Sequence, residues 1–211
     1  MRVKGVRAIA LIIVGALFLS ASLDAAETSD PAVQSTFALA KGTNEFSLWA
    51  GGSPDSTNFI GKARNRSLFL VGLRYGRILT ARSWGSLEYT FDVIPAAVVY
   101  QPHGVKGDSR IYGAGLSPLG FKVNFGQHSR IKPFVDGSVG FLYFEHDVPV
   151  PDSSRFNFTP QLGFGVQVFL TRRTALNLGY KYHHISSAGI GHRNPGLDSN
   201  VFHADFSFFT P

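Results

Sequence analysis

Cysteine is absent from the 211 residues, which excludes a disulfide scaffold, thiolate metal sites and a cysteine nucleophile. Charge is scarce: Asp, Glu, Lys and Arg together make up 16% of the chain. The formal charge is +6, but no Lys/Arg cluster is denser than Arg172-Arg173, so the focused basic patch of a nucleic-acid binder is missing. A long apolar run is missing too. The stretch Ala8–Leu19 has twelve residues, whereas a membrane-spanning helix needs about 20. What is plentiful is Gly, with 23 residues, and Phe, with 19. Leu, Ile, Val and Phe are too abundant for disorder, and one ordinary domain with a sizeable core fits the length. The composition is that of a β-rich protein.

The N-terminus is set apart. Arg2, Lys4 and Arg7 precede the Ala8–Leu19 run, and small residues follow it. This is the basic start, short apolar centre and small-residue exit of a secretory signal peptide. The expected peptide is 1–26, cleaved near 22–26, followed by a lead-in segment over 27–42. No Cys follows, so lipoprotein processing is excluded. Removing 1–26 takes away three basic residues and one acid, leaving the net charge at +4.

Beyond residue 42, period-2 alternation dominates. Phe156, Phe158, Pro160, Leu162, Phe164, Val166 and Val168 alternate with Asn157, Thr159, Gln161, Gly163, Gly165 and Gln167. Leu176, Leu178, Tyr180 and Tyr182 alternate with Asn177, Gly179, Lys181 and His183. Similar patterns run over 69–76, 87–93 and 202–208. Each marks a strand with one apolar and one polar face. Eight strands are expected near 43–51, 66–78, 84–99, 111–126, 131–145, 155–170, 174–187 and 199–209. Several reach the 9–11 residues or so that a tilted membrane strand requires. Connections at 52–65, 100–110, 146–154 and 188–198 are long, and those at 79–83, 127–130 and 171–173 are short. Long loops at one end and short turns at the other describe an all-β, eight-stranded antiparallel transmembrane β-barrel over 43–209, with both termini in the periplasm.

A soluble eight-stranded barrel would alternate as well. It would carry a well-charged outer face, whereas the polar face here holds mostly Gly, Asn, Gln and Ser. Its few charges have mixed signs: Glu45, Arg74, Glu88, Asp92, Lys122, Asp136, Lys181 and Asp205. They can neutralise one another inside a narrow, side-chain-filled lumen. Tyr75, Tyr89, Tyr180 and Tyr182 lie on the apolar face and suit interfacial girdles. The membrane barrel is therefore the expected fold, in the outer membrane of a Gram-negative cell.

The seventh strand ends unusually. Its lipid-facing register continues past Tyr182 to His184 and Ser186, two polar residues on one side of the strand. They fall near the extracellular rim. A Ser and His so placed can form a nucleophile–base pair if a third group orients the imidazole, and Asp198 begins the returning strand. The plainer reading is that the pair marks where the strand leaves hydrocarbon. His183 and Ser187 share the lumen-facing register, and His192 and His203 read as loop and lumen residues. No His/Asp/Glu group has metal-ligand spacing and no phosphate loop is present, so neither a metal nor an organic cofactor is expected.

The stretch Tyr182-His183-His184-Ile185-Ser186-Ser187-Ala188-Gly189-Ile190, continued by Asn194 and Asp198, resembles the lipid A 3-O-deacylase family of outer-membrane barrels, whose motif reads H-x-S-N-A-G followed by an Asn and a Glu. The resemblance implies a serine esterase with its site on the outer wall: Ser186 as nucleophile, His184 as general base, Asp198 orienting His184, and the Gly189 N–H with the Asn194 amide stabilising the oxyanion. It further implies lipid A of lipopolysaccharide as substrate. Two positions depart from the motif: Asp198 is one methylene shorter than Glu, and Ser187 replaces the Asn after the nucleophile. Loop residues Arg64, Arg66, Lys106, Arg110 and Arg193 are candidates for lipid A phosphates. The competing class is a non-enzymatic outer-membrane barrel, structural or surface-interacting; an esterase for another lipid is a further alternative. Homo-oligomerisation is compatible with either.

Overall fold

The computed structural model describes residues 37–101 and 110–211. The expected signal peptide, most of the lead-in and Lys106 lie outside the described residues. Among the described residues ten strands form: β1 (Asn44–Ser53), β2 (Ser56–Thr57), β3 (Ser67–Arg82), β4 (Gly85–Tyr100), β5 (Arg110–Phe125), β6 (Ile131–Val148), β7 (Ser154–Phe158), β8 (Gln161–Phe169), β9 (Thr174–Ile185) and β10 (Leu197–Thr210). They make eight staves. β7 and β8 are two halves of one stave, both pairing β6, and are separated at Thr159-Pro160 because Pro160 has no N–H for the ladder. β2 resumes the pairing with β10 that β1 leaves off. β1 also pairs β10, so the antiparallel sheet closes and no full-length edge remains.

Asn44 of β1 lies opposite Thr210 of β10, which puts the two ends of the barrel chain at one rim. The connections between β3 and β4, β5 and β6, and β8 and β9 are short and lie at that same rim; the β3–β4 hairpin has only Ser83 and Trp84 between paired Arg82 and Gly85. The long loops share the opposite rim. Strands extend further than the alternation alone marks: β3 reaches Arg82 and β6 reaches Val148.

Alternation decides which side chains meet lipid. Phe46, Leu48, Leu73, Leu162, Phe164, Leu178, Phe202, Phe206 and Phe208 stand exposed on the outer wall. All eight charged residues assigned to the polar face are buried in the lumen. Lys122 sits between Glu45 and Glu88, its Nζ 3.0 Å from Glu88 Oε2. Arg74 forms a two-point pair with Asp92 at 2.8 and 3.0 Å, and Lys181 lies 3.4 Å from Asp136. Such pairing is what permits charge in a desolvated interior, where an unpaired ion would cost several kcal/mol or so.

The lumen is not polar throughout. Towards the long-loop rim the inward positions turn apolar: Leu68, Leu70, Ile94, Ala97, Val99, Leu142, Phe144, Ile185, Leu197 and Val201 pack as one buried cluster. A register shift between Ile94 and Ala97 helps to aim β4 into it. At the other rim Leu39 of the lead-in is buried with Ile78, Phe169, Ala175 and Phe209, and Gln127 Nε2 donates to the Leu39 carbonyl at 2.6 Å. The barrel interior is thus a three-layer core, apolar, charged and apolar.

Candidate active site on the outer wall

The three candidate catalytic side chains come from the long-loop ends of β9 and β10. His184 and Asp198 are cross-strand partners in the β9–β10 ladder. Directly opposite residues have Cβ atoms only about 5 Å apart, so even the short Asp side chain reaches: His184 Nδ1 lies 2.6 Å from Asp198 Oδ1. On its other flank the His184 N–H donates to the Pro160 carbonyl at 3.0 Å. Ile185 between His184 and Ser186 points into the luminal cluster, as does Leu197 beside Asp198, and these two are themselves paired. The apolar cluster thereby anchors the strand ends from within.

Ser186 falls one residue past the end of regular β9, short of the expected strand end at 187. An isolated bridge holds it: Ser186 N–H donates to the Phe158 carbonyl at 3.1 Å, and Phe158 N–H to the Ser186 carbonyl at 2.8 Å. His184 and Ser186 therefore share the outward face, while His183 and Ser187 are buried inward. Among the described residues no hydrogen bond links Ser186 Oγ to the imidazole; catalytic hydrogen bonds often tighten only when substrate is bound.

Asp198 faces the outer wall and is nevertheless fully buried. The reason is a segment that sequence inspection passes over. The backbone N–H groups of Phe59, Ile60 and Gly61, in the loop between β2 and β3, all donate to Asp198 Oδ2, at 2.8, 2.7 and 2.8 Å. This is an anion-binding concavity of successive backbone amides. Charge-assisted hydrogen bonds of this kind favour the ionised carboxylate. A carboxylate only accepts, so the imidazole carries its proton on Nδ1 and leaves the Nε2 lone pair for a proton from elsewhere. Gly196 lets the ring in: a Cβ there would stand 2.9 Å from His184 Cε1. Neither the amides nor this close approach has a sequence signature.

After Ser186 the chain turns over Ser187–Ile190, with Ile190 N–H donating to the Ser187 carbonyl at 3.0 Å. Ala188 and Gly189 have φ of 51° and 87°, the left-handed pair of a primed turn. For Ala188 that conformation costs about 1–2 kcal/mol, and such strain gathers at functional sites. The turn leaves the Gly189 N–H without a hydrogen-bond partner among the described residues. Asn194 is exposed, and its Oδ1 accepts from the Ser187 N–H at 3.1 Å, which fixes the amide and leaves Nδ2 available to donate. The chemistry this arrangement offers is a hydroxyl, an oriented imidazole and two candidate oxyanion donors, presented on an apolar wall.

The profile of the lipid A 3-O-deacylase (PagL) family matches residues 69–207. No curated protein matches the chain. Among solved structures, the chain is similar to the crystal structure of the outer membrane enzyme PagL, with a TM-score of 0.58, 18% identity, and coverage of 76% of this chain and 97% of that one. It is also similar to the outer membrane protein OprG of Pseudomonas aeruginosa, with a TM-score of 0.47, 16% identity, and coverage of 84% and 99%. For Neisserial surface protein A the values are 0.48, 15%, 80% and 97%.

Proposed function

The chain belongs to the lipid A 3-O-deacylase (PagL) family, and on that footing we propose that it is a serine esterase removing the acyl chain ester-linked at the 3-position of lipid A. It is a β-barrel protein of the Gram-negative outer membrane. The observation that carries the reading is the His184–Asp198 pair, 2.6 Å apart on the lipid-facing wall, with Ser186 on the same face.

Ser186 Oγ attacks the ester carbonyl carbon as His184 Nε2 takes its proton. The carbonyl π pair moves onto oxygen, and the Gly189 N–H and Asn194 Nδ2 donate to that oxyanion. Loss of one such donor in a preorganised site typically costs about 2.7–4 kcal/mol of transition-state stabilisation. Collapse breaks the bond to the sugar oxygen, which leaves with the proton from Nε2. Water, deprotonated by the same nitrogen, then attacks the acyl-serine, and the 3-hydroxy fatty acid departs with Ser186 restored. No metal or organic cofactor enters this scheme.

The outward placement has a physical reason. Lipid A chains already lie in the outer leaflet, so the scissile ester reaches the wall by lateral diffusion and no chain has to leave hydrocarbon. Exposed Phe158, Leu162 and Ile190 near the strand ends offer apolar surface to those chains. Lys62 and Arg193 lie in the loops that flank the site, their backbone N–H groups bonded to the Pro195 and Asp152 carbonyls, and offer positive charge to lipid A phosphates. Detergent-purified protein incubated with lipopolysaccharide, with lipid A followed by mass spectrometry, tests the reading. The expected product lacks one 3-hydroxyacyl chain, and Ser186→Ala forms none. Intact lipid A with the wild type, or equal cleavage by the variant, overturns it and leaves a structural barrel.

A further inference from the structure

Asp198 raises a question that the proposed chemistry does not answer. An Asp side chain on the outer wall of a barrel has two free torsions and water or lipid headgroups beside it, and nothing in a β-ladder fixes its carboxylate. Yet Asp198 is fully buried, with one oxygen on the imidazole and the other on three backbone amides.

The segment that supplies those amides is held independently on both flanks. Before it, Thr57 of β2 pairs with Asp198 in the sheet. After it, Lys62 N–H donates to the Pro195 carbonyl at 2.7 Å and Ala63 N–H to the Gly196 carbonyl at 3.0 Å, while Ala63 joins the buried luminal cluster. With its ends pinned, the chain between has to arch over the Asp198 side chain on the outer wall. There the Phe59 ring meets Tyr182 edge-on, centroids 5.7 Å apart. The arch is as tight as backbone allows. A Cβ on Gly61 would stand 2.9 Å from Asp198 Oδ1 and from the Gly196 carbonyl carbon, and 3.0 Å from Asp198 N.

We propose that the backbone of Phe59–Gly61 is a positioning element of the active site: a clasp that grips Asp198 Oδ2 through three N–H groups and so presents Oδ1 to His184 Nδ1. It touches neither substrate nor the reacting atoms. The proposal rests on the reading of Asp198 as the residue that orients His184. The clasp suits the short side chain at this position, because the carboxylate is met where an Asp ends. A Glu would drive its carboxylate into the amides. The first long loop, remote in sequence from His184 and Ser186, thereby sets the geometry of the pair.

Gly61→Ala is the direct test, with Gly137→Ala as control because a Cβ there meets only ordinary contacts at 3.4 Å. The first readout is independent of catalysis: the downfield Nδ1–H proton resonance of His184 in detergent micelles. His203, whose Nδ1 lies 2.7 Å from Asp205 Oδ1 in the lumen, gives a second such proton as an internal reference. In Gly61→Ala the His184 resonance is expected to vanish while that of His203 stays. The second readout is kcat on lipopolysaccharide, expected to fall by about a hundredfold, the penalty of a misplacement near 1 Å, with KM little changed. A folded Gly61→Ala that keeps both the resonance and kcat overturns the clasp. If the wild type releases no acyl chain, the esterase reading fails and the two proton resonances alone decide the clasp.

Should Gly61→Ala fail to give the heat-modifiable band of a folded barrel, Asp198→Ala serves in its place through amide exchange. The amides of Phe59, Ile60 and Gly61 are then expected to lose protection while those of Lys62 and Ala63, bonded to backbone carbonyls, retain it. Unchanged protection at 59–61 would show that the carboxylate is not what those amides hold.

Discussion

Replacing Asp198 by Asn changes one atom and reverses the proton logic of His184. The Asn amide can sit in two orientations. With its oxygen under Phe59, Ile60 and Gly61 it keeps all three N–H bonds now made to Oδ2. Flipped, its NH2 faces three donors and forfeits them; at about 1 kcal/mol net for each, the first orientation is favoured by about 3 kcal/mol or more. Nδ2 then faces His184 Nδ1, where Oδ1 now accepts at 2.6 Å. An amide N–H there needs an acceptor, so the imidazole proton moves to Nε2, and Nε2 can no longer take a proton from Ser186. Backbone and volume hardly change, so the barrel folds. The expected loss is roughly 10³–10⁴ in kcat, the order for amidating an orienting carboxylate, or about 4–5.5 kcal/mol. Single-turnover release of the 3-hydroxy fatty acid measures it, and nitrogen-15 shifts of His184 report the tautomer. A folded Asp198→Asn protein within about tenfold of wild-type kcat, or one with the proton still on Nδ1, would refute both the tautomer argument and the role of Asp198.

Other perturbations separate roles that a single deletion confounds. Asn194→Asp keeps the acceptor for the Ser187 N–H and removes the Nδ2 donor; with the amide as an oxyanion donor, it and Asn194→Ala both lose about 10²–10³ in kcat. Wild-type activity in Asn194→Asp alone would reduce the residue to a support for the turn. Gly196→Ala places a methyl 2.9 Å from His184 Cε1, so a folded barrel with kcat lowered by about 10- to 100-fold is expected, and an unaltered rate would mean the imidazole does not occupy that position. In the lumen, Lys122→Met leaves Glu45 and Glu88 buried without their shared cation. Urea unfolding in micelles is expected to show a loss of about 3–5 kcal/mol, partly restored by adding Glu88→Gln; an unmoved midpoint would contradict the network.

Much of the barrel was legible because a two-residue period leaves no freedom. Once Phe202, Phe206 and Phe208 face lipid, His203, Asp205 and Ser207 must face inward, and the same logic put His184 and Ser186 outside and His183 and Ser187 inside. What alternation misreads is polarity. It implies a polar lumen, whereas towards the long loops the inward face is Leu70, Ile94, Leu142 and Phe144. Near that rim the lumen is closed by side chains, and an apolar filling costs nothing in unpaired polar groups. The end of β9 before Ser186 follows from Pro160 on the neighbouring stave, which has no N–H to continue the ladder, and that adjacency is set by the register.

The sequence by itself determined the barrel, which connections share a rim, and the face on which each strand residue stands, because these follow from local period and loop length. Its resemblance to the family motif also singled out His184, Ser186 and Asp198. The tertiary structure alone decided that Asp198 lies opposite His184, within reach of a short carboxylate. It alone decided, too, that amides more than a hundred residues earlier in the chain grip that carboxylate. Side-chain chemistry is written in the residue types, but a backbone N–H is the same at every residue but proline, so where three of them converge can be read only from the fold.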